Sequence, residues 1–267
     1  SDLKLMEDFN ANDILFRASS NGHLMVEPRS KSEVLADGVK THLVDLFITA
    51  KYGRREDIIS KFLEKGNRSE EDSITLLSRV TGKLFTKNEE RLFNDYVTAV
   101  PDLFIGESIE NANETFDTKT SWSIFTFFRS KQKKNPLYYW QGVTAMWLTG
   151  AKKHTVAYCL VNSPADIIVS EKRRLSYQFG MLDEFGNGTD LFHKKCAQIE
   201  RNHIFDYELF CKHNPNFEFD TYPNERNFTI PIKERVHTVV YERNEADILR
   251  LQERIIDCRK WINENLI

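Results

Sequence analysis

The stretch from Asn94 to Ser121 constrains this chain more than any other. Residues 94–105 are rich in strand formers (Tyr96, Val97, Val100, Leu103, Phe104 and Ile105) and are interrupted once, at Pro101. Residues 106–114 form a polar turn, and Thr115 to Ser121 reads as the returning strand. Two such runs joined by a Gly-containing loop predict a hairpin, and a proline inside a run bends it. Asp102 then lies on one arm and Asp117, Thr118 and Lys119 on the other. Residues two apart on a strand share a face, so Asp117 and Lys119 point the same way. With Asp102 across from them, two hard oxygen ligands and an ammonium converge. Such a point suits Mg²⁺ or Mn²⁺ and can activate water against a phosphate. Asp-x-Lys is a common triplet in a chain that is 29% charged, and most instances are solvated strand edges. The single Pro-Asp dipeptide of the chain, just upstream, adds weight to this one.

A chain of 267 residues, 40% of them apolar, suffices for one large core, and a single domain over 1–267 is expected. The net charge of −3 gives no overall basic field, but cations cluster at Lys131, Lys133 and Lys134, at Lys152 and Lys153, and at Lys172, Arg173 and Arg174. A local basic groove beside an acidic metal site is enough to hold a nucleic acid, although a solvated loop explains any one cluster equally well. The four cysteines are scattered without a Cys-x-x-Cys pair, and the seven histidines show no metal-ligand spacing, which argues against zinc and iron–sulfur sites. No secretory leader or bilayer-length apolar run is visible. A reduced, cytoplasmic protein is expected.

Periodicity predicts helices over about 35–52, 55–64, 70–80, 137–148, 164–179, 190–212 and 246–265, with Ser69-Glu70-Glu71-Asp72 as a capping box for the third. Strands are expected over 154–161, as a central strand, and 235–242. Strands embedded among helices, with a hairpin in the middle, imply an α/β fold: a central mixed sheet flanked by helices.

Helical phase separates two adjacent acids. Glu70 shares a face with Ile74 and Leu77, whereas Glu71 lines up with Thr75 and Ser78. A carboxylate aimed along a buried stripe needs a partner or a metal; an acid in a first helical turn otherwise serves the dipole. Gln141 sits among Leu137, Tyr138, Thr144 and Ala145 and is either a half-buried amide with a backbone partner or an amide that orients water or phosphate. Arg17, Ser19 and Ser20 form a polar turn with the makings of a phosphate cradle, or an ordinary turn before the next element.

Taken in order, Glu70, Pro101-Asp102, Asp117-Thr118-Lys119 and Gln141 resemble the PD-(D/E)XK nuclease superfamily, and more closely its phage-type recombination exonucleases, the YqaJ and lambda-exonuclease group. Gly66 ahead of Glu70 is similar to that group's Gly-x-x-x-Glu element. Asp117 to Trp122 is similar to its Asp-x-Lys-Thr-Ser-Trp strand, Tyr138 to Gln141 to the start of its glutamine helix, and Ala157 to Asn162 to the strand that follows. Arg17 to Ser20 resembles its amino-terminal Arg-Ser element. The match runs over roughly residues 14–165 and is specific only as a combination. One departure is Ala145, where the glutamine helix of the group carries a tyrosine; Trp147 and Tyr138 are the aromatic residues at hand.

The resemblance implies a restriction-endonuclease-like core and a metal-dependent DNA exonuclease acting on duplex ends, 5′→3′. It implies Mg²⁺ or Mn²⁺ held by Asp102, Asp117, the Thr118 carbonyl and Glu70, with Lys119 beside the attacking water and Gln141 in support. Arg17, Ser19, Ser20, Lys131, Lys133 and Lys134 would meet the DNA. A single-strand annealing protein would be the partner and a homo-trimer the assembly. A structure-specific endonuclease or RecB-type nuclease module, which would cut a closed circle, and a non-catalytic DNA-end-binding protein are the alternatives.

Overall fold

The computed structural model describes residues 9–56, 60–220 and 228–267. Its centre is a five-stranded mixed sheet in the order β2 (Thr86–Lys87), β5 (Leu103–Gly106), β6 (Ala112–Thr120), β7 (Lys153–Cys159) and β8 (Val236–Glu242). β5 and β6 are antiparallel, with Leu103 opposite Phe116; β6 and β7 are parallel, with Asp117 opposite Val156; β8 returns antiparallel to β7. A parallel pair requires a crossover, and here α5 (Ile124–Ser130) and α6 (Pro136–Thr149) provide it. Asn135 caps α6 by accepting the Leu137 N–H, and Pro136 occupies the first turn, where its missing donor costs nothing.

The first arm of the expected hairpin divides. β4 (Val97–Ala99) leaves it to pair with β1 (Phe16–Arg17) and β3 (Leu92–Phe93) in a separate three-stranded sheet. Only from Leu103 onward does the arm pair with β6, and the return strand starts at Ala112, three residues before the expected Thr115. Pro101 has no N–H for a ladder, so the break between the two sheets falls there.

Strand alternation gives the central sheet two unlike faces. On one, Leu76 and Leu77 of α4 (Glu70–Thr81) pack against Leu103, Phe116, Ala157 and Cys159. On the other, Met146 of α6 meets Val156, Tyr158 and Leu160. A third cluster joins α6 to α2 (Asp37–Tyr52) and α10 (Glu245–Asn265). Ile248, Leu251, Ile255, Cys258 and Ile262 form the buried stripe of α10, at the three- and four-residue spacing that its amphipathic sequence predicts. Among the described residues, no helix is long and apolar enough to cross a membrane.

Several helices differ from expectation. The second is α3 (Lys61–Arg68), not 55–64; Gly66 lies inside it and does not end it, and residues 57–59 lie outside the described residues. Ser69 precedes α4 but makes no side-chain cap, so the capping box does not form. The helix expected over 164–179 is the shorter α7 (Ala165–Ser176). The run over 190–212 is two helices, α8 (Asp190–His203) and α9 (Tyr207–His213), because the Asp206 carboxylate accepts the Leu209 N–H and starts a new one. The polar turn at Arg17 is the start of α1 (Ala18–Leu24), which packs on α6 so closely that a Cβ on Gly22 would lie 2.7 Å from Leu137 Cα.

Candidate active site

Asp102 stands where the β5 ladder stops. Its N–H still donates to the Phe116 carbonyl at 3.0 Å, but the next ladder position is taken by its own side chain. The Thr118 N–H donates to Asp102 Oδ2 at 2.6 Å and the Thr118 hydroxyl donates to the same oxygen at 3.0 Å. The Pro-Asp dipeptide therefore has a local meaning: proline ends the strand and the carboxylate continues the pairing. On the Pro101 side, Asn88 Nδ2 donates to the Pro101 carbonyl at 2.9 Å.

Asp117 is one strand over and 1% exposed. Oδ2 lies 3.5 Å from His154 Nε2, and Oδ1 has no hydrogen-bond partner among the described residues. His154 is itself fully buried on β7, its Nδ1 paired with the Thr115 hydroxyl at 2.9 Å. Gly142 makes room for that ring: a Cβ there would come within 2.5 Å of His154 Cδ2. Sequence reasoning missed both residues. No spacing marks the histidine, and the glycine inside a helical run was the only available signal.

The two carboxylates perturb one another. Burial, and then the charge of Asp117, push Asp102 up to about 6, against the pull of Lys119 and the Thr118 hydrogen bonds. Burial also opposes ionisation of Asp117, but Lys119 and His154 outweigh it and hold that carboxyl below its usual range. Two acids pushed in opposite directions are a pattern of functional sites.

Lys119 lies on the same face as Asp117. Its Nζ donates to Gln141 Oε1 at 3.1 Å and sits 4.8 Å from the centre of the Tyr138 ring. The amide of Gln141 thus orients the ammonium. Of the two aromatic residues near the Ala145 position, Tyr138 reaches the lysine, whereas Trp147 stacks on Tyr96 in the α6–α10 core. Lys133 joins Lys119 on the wall of a cavity of about 290 Å³, with Phe62, Trp122, Tyr138 and Tyr158 as its aromatic lining.

Other expected residues stand apart. Glu70 is less exposed than Glu71, as helical phase requires, at 39% against 71% for the side chains, yet both turn to Lys87. Lys87 Nζ lies 3.7 Å from Glu70 Oε1 and forms a closer ion pair with Glu71. Among the described residues, no three His, Cys, Asp or Glu side chains gather in a metal-binding group, and the Glu70 carboxylate faces Lys87. Lys131 lies over Phe127 and Phe128, and Lys134 over Tyr241. Ser19 is exposed, and the Ser20 hydroxyl donates to the Arg17 carbonyl at 3.2 Å. Arg17 is depressed by partial burial and by the charges of Arg55 and Arg91, two cations that the sequence did not single out.

The protein family models and the curated protein sequences contain no match to this chain. Solved structures do match. A phage-related exonuclease from Haemophilus somnus 129PT superimposes with a TM-score of 0.65 at 21% identity, covering 95% of this chain and 96% of that one. An alkaline exonuclease from Laribacter hongkongensis gives a TM-score of 0.56 at 13% identity over 98% of this chain and 93% of that one. The same enzyme in complex with dAMP gives 0.55 at 13% identity, covering 95% and 90%. The chain thus has, over nearly its whole described length, the fold of the phage-type exonucleases that its motifs resemble.

Proposed function

We propose that this protein is a metal-dependent DNA exonuclease that hydrolyses phosphodiesters from duplex ends. The observation that carries the reading is the buried, unpartnered Oδ1 of Asp117, set beside Asp102 with Lys119 on the same strand face. A fold shared with exonucleases supports it.

The donor set fits Mg²⁺ or Mn²⁺. Asp117 Oδ1 has no hydrogen-bond partner among the described residues, and Asp102 uses Oδ2 toward Thr118. Both are hard oxygens, and Mg²⁺ commonly takes one or two carboxylates with water and substrate phosphate completing its shell. Asp102 and Asp117 would hold the ion, with the Thr118 carbonyl as a further ligand; Glu70 would join only by leaving Lys87. Bound there, the ion would polarise the phosphate and lower the pKa of a coordinated water.

The chain's own groups do the rest. Lys119, held by Gln141, presents a fixed ammonium to charge that develops on the phosphate. That ammonium favours the ionised Asp117 carboxylate, and His154 beside it limits where the carboxylate can turn. The aromatic cavity beside Lys119 offers π-faces to a terminal base and Lys133 a cation to its phosphate. Arg17, with Ser19 and Ser20, is the proposed holder of the terminal phosphate, and Arg55 and Arg91 add to its field. Digestion 5′→3′, supply of single strands to an annealing protein and a trimeric assembly belong to the same proposal.

The test is end-labelled linear duplex and a closed circle, each with Mg²⁺ and with EDTA. Mg²⁺-dependent loss of the linear substrate, with the circle intact, is expected. Cleavage of the circle would favour an endonuclease. Wild-type turnover by Asp117→Asn would remove the site assignment.

A further inference from the structure

A second site lies on the other side of the sheet from the carboxylates. Between α4, the end of β7, α9 and the approach to β8 is a cavity of about 620 Å³, within the size range of small-molecule sites. Asp102, Asp117, Lys119 and Gln141 do not line it. Its floor is apolar, with Leu76 and Phe210, and three arginines line it: Arg68, which is taken up by Asp166, and Arg79 and Arg235.

Arg235 is 4% exposed, and its Nε has no hydrogen-bond partner among the described residues. Its one hydrogen bond there is a long contact, 3.4 Å from Nη2 to Asp206 Oδ2, although a guanidinium carries five donors. Arg79 is exposed and makes no ion pair among the described residues, yet it lies close enough to depress Arg235 by like charge. Two cations beside one another, one of them desolvated, are unfavourable unless an anion sits between them.

The acids of the cavity meet that demand only in part, since Asp206 Oδ2 reaches Arg235 Nη2 at 3.4 Å and Arg79 has no ion pair among the described residues. Asp166 is held by both nitrogens of Arg68, at 2.6 and 2.9 Å, and also accepts from its own helix terminus. Asp206 caps α9 through Oδ1 at 3.0 Å. Asp72, two helical turns before Arg79, is exposed and has no cation partner among the described residues. His213 also lines the cavity.

We propose that this cavity binds a phosphate group, gripped by Arg79 and Arg235, at a position separate from the carboxylate–lysine site. The planar fork of a guanidinium matches phosphate oxygens in pairs, which an ammonium does not. The source is either a free mononucleotide, which the volume accommodates, or a phosphate of a single strand lying across the mouth.

Calorimetric titration of the full chain in EDTA tests this without reference to hydrolysis, so failure of the nuclease reading and failure of this one are separable. The titrants are inorganic phosphate, dAMP and a ten-nucleotide single strand with a 5′-hydroxyl. Arg79→Gln is exposed and should fold, which a thermal melt verifies; Arg235→Lys keeps the buried charge but not the fork. Each should weaken binding by about ten- to a hundredfold, the loss expected of one charge-assisted bond. Asp72→Asn should tighten it by roughly two- to fivefold, by removing an exposed repulsive charge. Binding of phosphate and dAMP that falls in Arg79→Gln identifies a free anion as the source. Binding of the oligonucleotide alone, with the same fall, identifies the strand. Failure of all three titrants to bind the wild type, or equal affinity in the wild type and both arginine variants, overturns the proposal.

Discussion

The two faces of β6 differ in what they contribute. On the α4 side, Phe116 packs against Leu76, Leu77, Leu103, Ala157 and Cys159. On the α6 side, one residue along, Asp117 is equally buried but has an oxygen without a partner among the described residues and a second carboxylate for a neighbour. The apolar face gains free energy from burial. The polar face loses some to desolvation and like charge. The difference teaches how such a site can persist: β6 is held in register by one row of side chains, so the alternate row can be arranged for chemistry.

The sharpest way to break this comparison is to truncate adjacent residues. Phe116→Ala should cost about 3–5 kcal/mol of stability, the usual range for a large aromatic in a core. Asp117→Asn should cost far less stability at neutral pH, only the favourable charge contacts with Lys119 and His154, while lowering DNA hydrolysis by about a hundredfold or more, as expected for loss of a metal-dependent charge effect. Thermal melts and end-labelled duplex assays read the two. Similar destabilisation by both would mean that the faces are not specialised.

Asp102 sharpens the same point through pH. Its folded pKa of about 6 lies above the 3.8 of a free carboxyl, so the folded state binds the proton more tightly than the unfolded chain. Its contribution to stability is present at low pH and is lost as pH rises from about 4 to 6. Asp102→Asn keeps an oxygen for the Thr118 donors and has no charge to desolvate. It should equal the wild type near pH 3.5 and exceed it by roughly 2 kcal/mol at pH 7.5. Denaturant melts at the two pH values measure this, and a constant difference would show that Asp102 does not carry the strain.

Gly142→Ala tests the packing beneath the polar face. The new methyl would strike the His154 ring at 2.5 Å, so the ring or α6 must shift, at a cost of about 1–3 kcal/mol. An unchanged melting temperature would show that His154 moves freely and does not position Asp117.

The smallest effect is expected at Glu70 and Glu71. Both are at least partly exposed and shared with Lys87, so Gln at either position should change stability by less than about 0.5 kcal/mol. Activity should separate them, with Glu70→Gln the slower enzyme. Equal rates would place Glu70 with its neighbour as a surface charge.

Much of this architecture was legible in short-range pattern. The stripe of α10, most of the span of α6 and the alternation along β6 are all written within a few residues of where they act, although the Asn135 cap and Pro136 at the start of α6 read as loop. So was the grouping of Asp117 with Lys119, since strand geometry alone puts them on one face. The break between α8 and α9 was obscured because the intervening residues Ile204 and Phe205 are apolar and continue the run, while both are buried in separate clusters of the fold.

Contacts between distant parts of the chain were a different matter. His154 reaches Asp117 only because β7 lies parallel to β6 and Gly142 leaves space above it. Lys87 meets Glu71 and Glu70 across sixteen and seventeen positions of sequence, and Arg79 and Arg235, far apart in sequence, line one cavity. Local periodicity records the environment that each residue needs: buried or exposed, strand or helix. Which residue of like need becomes its neighbour depends on strand order and helix packing. The sequence by itself therefore determined the pair of strand acids, the lysine and the helices around them. Tertiary structure alone decided that Asp117 should lie against a buried histidine with one oxygen unpartnered among the described residues, and that Arg79 and Arg235 should line one cavity.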